Sequence, residues 1–327
     1  MSHFDVVCLR PKDDFLKVGV VPPQEFSIAY LSPTEARLGE KIALARAVVI
    51  PAVGPKLPGS LFADSRVELV QVTGAGIDRL DADAMKALRI PVSNVPGGSS
   101  AAIAEYAVAS ASLLLRRLHW ADGELRKGNY AGARAELVSN TPHGFDGMTV
   151  GVVGLGIIGM AVARSFHTMG CRIVYHDPAP RDPDLLDRLD AKSMSLDELL
   201  TVSDIVTLHV PLLPSTRMLL GAAQLGLMKQ GAVLINAARG GIVDESALAE
   251  QLANGHLGGA AVDVFSSEPI GDDNPLILNS EKIGRKMLLT PHIAGITRQS
   301  WAQLFRTAWL NVQRVLQDGE PPMNRVV

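Results

Sequence analysis

From about Phe145 onward, short apolar runs alternate with amphipathic stretches along the chain. TVGVVGLG (149–156), CRIVYHDP (171–178), DIVTLHVP (204–211), AVLINAARG (232–240), GGAAVDVF (258–265) and KMLLTPHI (286–293) are rich in β-branched residues and predict strands. Between them, IIGMAVARSFHTMG (157–170) and DESALAEQLANGHL (244–257) carry apolar residues at helical spacing. SLDELLTVS (195–203) predicts a further helix, with Ser195 as N-cap and Glu198 three residues later. Strands this apolar are buried on both faces, as in a parallel sheet covered by helices.

The first hundred residues repeat the style more weakly. DVVCLR, ARAVVIP, VELVQVTGAG and RIPVSNVPGG predict strands, and a long helix begins near Ser100. TRQSWAQLFRTAWLNVQRVLQDGE (297–320) predicts a helix that returns to this first part. Residues 121–148 are polar and contain glycines, so a surface arm or loop is expected there. The division read from this pattern is a domain over 1–100, completed by 294–327, and a second domain over 101–293.

A chain of 327 residues is long enough for two such domains. Apolar residues make up 47% and charged residues 20%, a globular balance. Net charge is −3 and no basic run exceeds a pair, so no nucleic-acid partner is expected. No uninterrupted apolar run approaches the about 18 residues of a membrane span, and the opening MSHFDVVCLRPKDDF lacks the features of a secretory signal. Two cysteines, Cys8 and Cys171, make neither a disulfide framework nor a metal knuckle. A reducing cytoplasm and no metal are the expectation.

Two motifs carry chemistry. Gly154-x-Gly156-x-x-Gly159 stands between a strand and a helix. In that context the first glycine makes a tight turn, the second admits a pyrophosphate, and the third lets helix and strand pack closely. Asp177 ends the next strand 18 residues after Gly159, where an acceptor for ribose hydroxyls belongs. Its carboxylate would repel a 2′-phosphate, which favours NAD over NADP, although Arg181 is close in sequence.

The second motif is dispersed: Arg239, Glu268 and His292 each follow a strand-like run. Ligands of open α/β sheets gather at the carboxyl ends of strands. A guanidinium can hold a carboxylate and polarise a carbonyl through its fixed fork of donors. An imidazole can give the proton that a reduced carbonyl needs. A carboxylate on the other ring nitrogen orients that imidazole and favours its charged form. The set fits hydride transfer between a nicotinamide and a 2-hydroxy/2-oxo acid pair.

The stretches VGVVGLGIIG, HVPLLPSTRMLL, MKQGAVLINAARGGIVDESAL, GGAAVDVFSSEP and LTPHIAGIT resemble the D-isomer-specific 2-hydroxyacid dehydrogenase family. The resemblance implies an α/β fold of two Rossmann-like domains. The larger would be a doubly wound parallel sheet binding NAD, the smaller a flavodoxin-like substrate domain. It implies Arg239, Glu268 and His292 as catalytic residues, with Arg239 and His292 also meeting cofactor and substrate. It places Ile157 and Ile158 against the pyrophosphate, Val210, Pro211 and Thr216 along the adenosine, Ala237 and Ala238 near the nicotinamide, and Asp263 on its carboxamide. VTGAGIDRLD resembles the loop whose backbone N–H groups grip the substrate carboxylate, here at Ala75 and Gly76. Asn94 and Glu105 match the segment that leads into the nucleotide domain. A homodimer is implied by the long helix near Ser100 and the arm after it, and domain closure by hinges near 95–101 and 293–296.

Trp301, one turn after Thr297, is expected either to pack in a core or to wall a pocket. Arg10, Lys12 and Lys56 carry charge suited to an acidic substrate tail, but the sequence does not place them. Alternatives on the same scaffold are a nicotinamide-sensing corepressor-like protein, a 3-phosphoglycerate dehydrogenase specifically, and a phosphite oxidiser. A formate enzyme is disfavoured because Glu268 stands where such enzymes carry Gln.

Overall fold

The computed structural model describes residues 4–327. They form two compact units: one runs to Ser99 and is completed by Ile296–Val327, the other is Ser100–Gly295.

The first unit is built on five parallel strands: β1 (Val6–Cys8), β2 (Ile28–Tyr30), β3 (Ala47–Ile50), β4 (Leu69–Val72) and β5 (Val92–Ser93). Their order is β2-β1-β3-β4-β5, the flavodoxin-like arrangement. β1, β3 and β4 are buried at every residue, which is why β1 and β3 are continuously apolar and β4 is apolar but for Gln71. β2 is an edge strand of three residues with only Ala29 buried, too short and too mixed to stand out in the sequence.

Helix Arg298–Leu316 covers one face of this sheet. Thr297 caps it reciprocally with Ser300, and Phe305, Trp309 and Val312 point into the core. Phe15 meets Phe305 and Trp309 with ring centroids 4.7 and 5.4 Å apart. Burying one such aromatic ring contributes roughly 1.5–3 kcal/mol. The opposite face carries Ile42, Phe62 and Met85.

The second unit has seven parallel strands: β6 (Thr149–Val153), β7 (Arg172–His176), β8 (Lys192–Ser193), β9 (Ile205–Leu208), β10 (Val233–Asn236), β11 (Gly259–Val262) and β12 (Met287–Leu289). The order β12-β11-β10-β9-β6-β7-β8 is a doubly wound sheet whose winding reverses between β6 and β9. Helices Ser100–Leu115 and Ile157–Thr168 pack on one face, where Ala104, Ala107 and Ala111 keep side chains small beside Val162, Ala163 and Phe166. Helices Leu196–Val202 and Glu245–Ala253 contribute to the other face. The capping box of Ser195 and Glu198 forms as the sequence predicts.

The expected arm at 121–148 is largely helical: Leu118–Arg126 and Tyr130–Asn140. Gly123, Gly128 and Gly132 lower helix propensity there. Only Ala133 of these two helices is buried, so their apolar residues do not mark a core-facing stripe.

Candidate active site

The turn from β6 into helix Ile157–Thr168 is shaped for a dinucleotide. Gly154 has φ +90°, and a Cβ there would lie 2.7 Å from the His209 carbonyl oxygen. A Cβ on Gly159 would lie 2.0 Å from the Gly154 carbonyl oxygen, so only glycine lets the helix approach. A Cβ on Gly156 would meet nothing within 4 Å, which leaves room for a ligand over the backbone. Gly156 caps the helix without a side chain, so its first N–H groups and the positive end of its dipole face outward. Ile157 is 61% exposed and Ile158 half-buried.

Asp177 sits just past β7. Its Oδ2 accepts from the Leu155 N–H at 2.7 Å and from Arg181 Nη2 at 2.5 Å, and Oδ1 accepts from the Ala179 N–H at 2.9 Å. Burial pushes the carboxyl up, but Arg181 and the two amides outweigh it and hold Asp177 below the usual carboxylate range. These residues fit NAD: a turn open to a pyrophosphate, a free helix terminus and an ionised carboxylate one strand away.

Of the three polar residues beyond the strand ends, two meet directly. Glu268 Oε2 accepts from His292 Nδ1 at 2.8 Å, and Glu268 Oε1 accepts from the Phe265 N–H at 3.0 Å. Burial pushes the Glu268 carboxyl up; His292, the Phe265 amide and the charge of Arg239 together bring it below the usual range. With Nδ1 engaged, Nε2 of His292 is the nitrogen left to exchange a proton. Arg239 follows β10 on a loop held by Asn236, whose Oδ1 accepts from the Ala238 N–H and whose Nδ2 donates to the Arg239 carbonyl, both at 3.2 Å.

His292 occupies the left-handed region with φ +54°, a conformation that non-glycine residues adopt at a cost. Asp263, 1% exposed, supports it. Its carboxylate accepts from Thr290 Oγ1 at 2.6 Å and from the Ile293 and Ala294 N–H groups at 2.8 Å. Its carbonyl accepts from the His292 N–H at 2.8 Å. Tyr106 shares a 2.8 Å hydrogen bond with Thr290. The sequence reading missed Tyr106, Thr290 and Asn236. Thr290 stands two residues before His292 and Asn236 three before Arg239, which was the available signal.

Other expected residues take these places. Thr216 Oγ1 donates to the Pro211 carbonyl at 2.6 Å and accepts from the Leu213 N–H at 2.8 Å. Val210 is half-buried and Pro211 exposed. Ala237 is half-buried and Ala238 buried, and Glu105 is exposed. Desolvation pushes the His209 imidazole down to about 3, so that residue is neutral near pH 7.

In the first unit, Ala75 and Gly76 lie half-buried just past β4. Asn94 Nδ2 donates to the Ala75 carbonyl at 2.6 Å and the Val95 N–H to the Gly74 carbonyl at 2.9 Å. Both bonds fix the loop through its carbonyls and leave the Ala75 and Gly76 amides out of them. Trp301 is half-buried, with its ring 5.4 Å from Phe305 and 4.9 Å from the Arg10 guanidinium. Of the two expectations for it, the packing against a core is the one seen here.

Fold and site together define an NAD-linked oxidoreductase of the two-unit parallel α/β kind. Residues 108–294 match the model of the D-isomer specific 2-hydroxyacid dehydrogenase NAD binding domain. An (S)-sulfolactate dehydrogenase of Chromohalobacter salexigens is 38% identical over 242 residues, 74% of each chain. A glyoxylate reductase of Aeropyrum pernix is 35% identical over 266 residues, 80% of this chain and 78% of that one. A crystal structure of a glyoxylate reductase from Paecilomyes thermophila superposes with a TM-score of 0.82 at 26% identity, covering 100% of this chain and 99% of that one. The chain belongs to the D-isomer-specific 2-hydroxyacid dehydrogenase family. It is an NAD-dependent oxidoreductase of a D-2-hydroxy acid and its 2-oxo acid. The corepressor and 3-phosphoglycerate-specific readings are not favoured.

Proposed function

We propose that the chain reduces a short 2-oxo acid, with His292 as acid/base, Glu268 as its orienting partner and Arg239 as the group that holds and polarises the substrate. The 2.8 Å bond between Glu268 and His292 Nδ1 carries this reading. NAD, when bound against Gly154, Gly156, Gly159 and Asp177, supplies or takes up the hydride.

The remaining work belongs to the side chains. Arg239 offers parallel donors to the carboxylate and the carbonyl oxygen, drawing charge onto that oxygen. His292 Nε2 gives it a proton, and Glu268 compensates the imidazolium before the transfer. In the reverse direction neutral His292 takes the hydroxyl proton. Asp263, with Thr290 and Tyr106, holds the His292 loop in its strained conformation. Ala75 and Gly76 present amides suited to a carboxylate. Val210, Pro211 and Thr216 would border the adenosine, and Ala237, Ala238 and Asp263 the nicotinamide end. Asp263 already receives three donors, so a carboxamide would add a fourth.

The test is NADH oxidation with glyoxylate, pyruvate, hydroxypyruvate, phenylpyruvate and phosphohydroxypyruvate; no turnover with any of them would overturn the proposal. His292→Ala should lower kcat by about 100- to 10,000-fold while NADH still binds.

The same reading includes a homodimer and a reducing compartment. Leu118, Leu125, Tyr130 and Val138 are 48–64% exposed and line one groove of about 400 Å³ on the 118–140 helices, a face suited to a second copy. Cys8 and Cys171 are buried and unbridged, which suits a reducing compartment.

A further inference from the structure

In the first unit, β1 leads to β2 on one side while β3 lies on the other. That reversal opens a crevice beyond the carboxyl ends of β1 and β3, the place where such sheets bind ligands. Three cations reach it from loops distant in sequence. Arg10 follows β1, with its side chain 14% exposed. Arg79 follows β4, is 3% exposed, and its guanidinium reaches the loop after β3. There Nε donates to the Pro55 carbonyl at 2.9 Å and Nη1 to the Pro51 and Val53 carbonyls at 2.9 and 3.3 Å. Lys56, on that same loop, donates to the Asp78 carbonyl and is exposed.

Charge and hydrogen bonding are both left incomplete there. Arg10 pairs with Asp14 at 3.0 Å, and among the described residues the charge that acts on Arg79 is that of Arg10. Asp14 thus serves Arg10, with Lys17 at 3.7 Å on its other oxygen, and among the described residues no carboxylate pairs with Arg79. Arg10 Nε and Arg79 Nη2 are buried donors without a partner, and an unsatisfied donor on a charged group is costly. Burial lowers both guanidiniums from arginine's ordinary range, and Arg10 lowers Arg79 further. The rings of Trp301 and Phe305 each lie 4.9 Å from the Arg10 guanidinium and fix its plane. A guanidinium cannot shed its proton, so an anion is the group that completes this crevice.

We infer that the Arg10–Arg79 crevice, rimmed by Lys56 and walled by Trp301, binds the distal oxyanion of the substrate: a second carboxylate, a sulfonate or a phosphate on a short 2-oxo acid. The inference rests on the 2-oxo acid reading above and narrows its substrate to acids with two anionic groups. The carboxylate that all such substrates share is left to the Ala75–Gly76 loop of the same unit.

The experiment compares kcat/KM for oxaloacetate, 3-sulfopyruvate and phosphohydroxypyruvate with that for 2-oxobutyrate, whose tail is uncharged. At least one anionic-tail acid should exceed 2-oxobutyrate by about 10- to 100-fold, the worth of a charge-assisted hydrogen-bond pair. The preferred anionic acid identifies which oxyanion the crevice takes. Arg10→Met, which keeps an apolar stem against Trp301, should lower that ratio by a similar factor, through KM. Arg10→Lys should retain part of it. Lys56→Gln, at an exposed position, should lower the ratio more weakly and serves if Arg10→Met does not fold. A wild-type preference for 2-oxobutyrate, or a ratio that neither substitution changes, overturns the inference while leaving the 2-oxo acid reading intact.

A second arm needs no turnover. Inorganic sulfate, compared with chloride at equal ionic strength, should raise the wild-type unfolding midpoint more than that of Arg10→Met or Lys56→Gln. Equal responses overturn the crevice. A larger wild-type response together with no turnover of any 2-oxo acid keeps the anion site and removes the proposed reaction.

Discussion

Two carboxylates, Glu268 and Asp177, are held below the usual carboxylate range by specific partners, and each gives a test with a sign. Ionised Glu268 favours the charged, proton-donating imidazole in reduction. Glu268→Gln should therefore move the alkaline fall-off of the reduction rate to lower pH; an unchanged profile would remove Glu268 from its role. Linkage gives a second readout. A depressed carboxylate contributes stability that is full above its ordinary value of 4.5 and is lost as pH falls through the lower folded value. The gap in unfolding midpoint between wild type and Glu268→Gln should be open at pH 7 and close below pH 4.5. At Asp177, where an acceptor for ribose is expected, Arg181 already occupies Oδ2. Arg181→Ala should widen the preference for NADH over NADPH by about tenfold, and Asp177→Ala should narrow it by a similar factor. Fluorescence titration of both nucleotides checks this, and equal ratios in all three proteins would count against it.

At the level of elements, the legible ones are those whose residues are buried throughout. β6, β9, β10 and β11 are buried at every position, so each reads as a mainly apolar run, with Thr149, Thr207 and Asn236 as the polar members. The 118–140 helices and β2 escaped because burial leaves little imprint on them. For the helices, the exposed apolar groove is itself a prediction: Leu125→Asp with Tyr130→Asp should shift the protein from the proposed dimer to monomer in light scattering, with a folded circular dichroism spectrum. A wild-type monomer would exclude the dimer. Helix Arg298–Leu316 is the opposite case, an amphipathic stripe read correctly and packed through Phe305, which is 0% exposed. Phe305→Ala should cost about 3–5 kcal/mol in denaturant unfolding.

For the whole molecule, the decisive feature is that one unit is discontinuous in sequence and the other continuous. Residues 100–295 carry their own sheet, both covering helix layers, the Gly154–Gly159 turn and the Glu268–His292 pair. Expressed alone, they should unfold cooperatively and bind NADH; residues 1–295 should lose the first unit's fold, because Phe305, Trp309 and Val312 leave its core. A fragment 100–295 that fails to fold or to bind NADH would sink the first expectation. The sequence by itself determined the fold class and the dinucleotide turn, and it singled out Arg239, Glu268 and His292 as the catalytic candidates. Burial period, glycine geometry and strand-end position are local properties, and local patterns record them. Only the tertiary structure decided that Glu268, and no other carboxylate, faces Nδ1 of His292. It also decided that Asp263 and Thr290 brace that histidine, that Arg181 neutralises Asp177, and that Arg10 and Arg79 converge. Those pairings join positions brought together by strand order and loop path, and no period or spacing along the chain encodes which donor meets which acceptor.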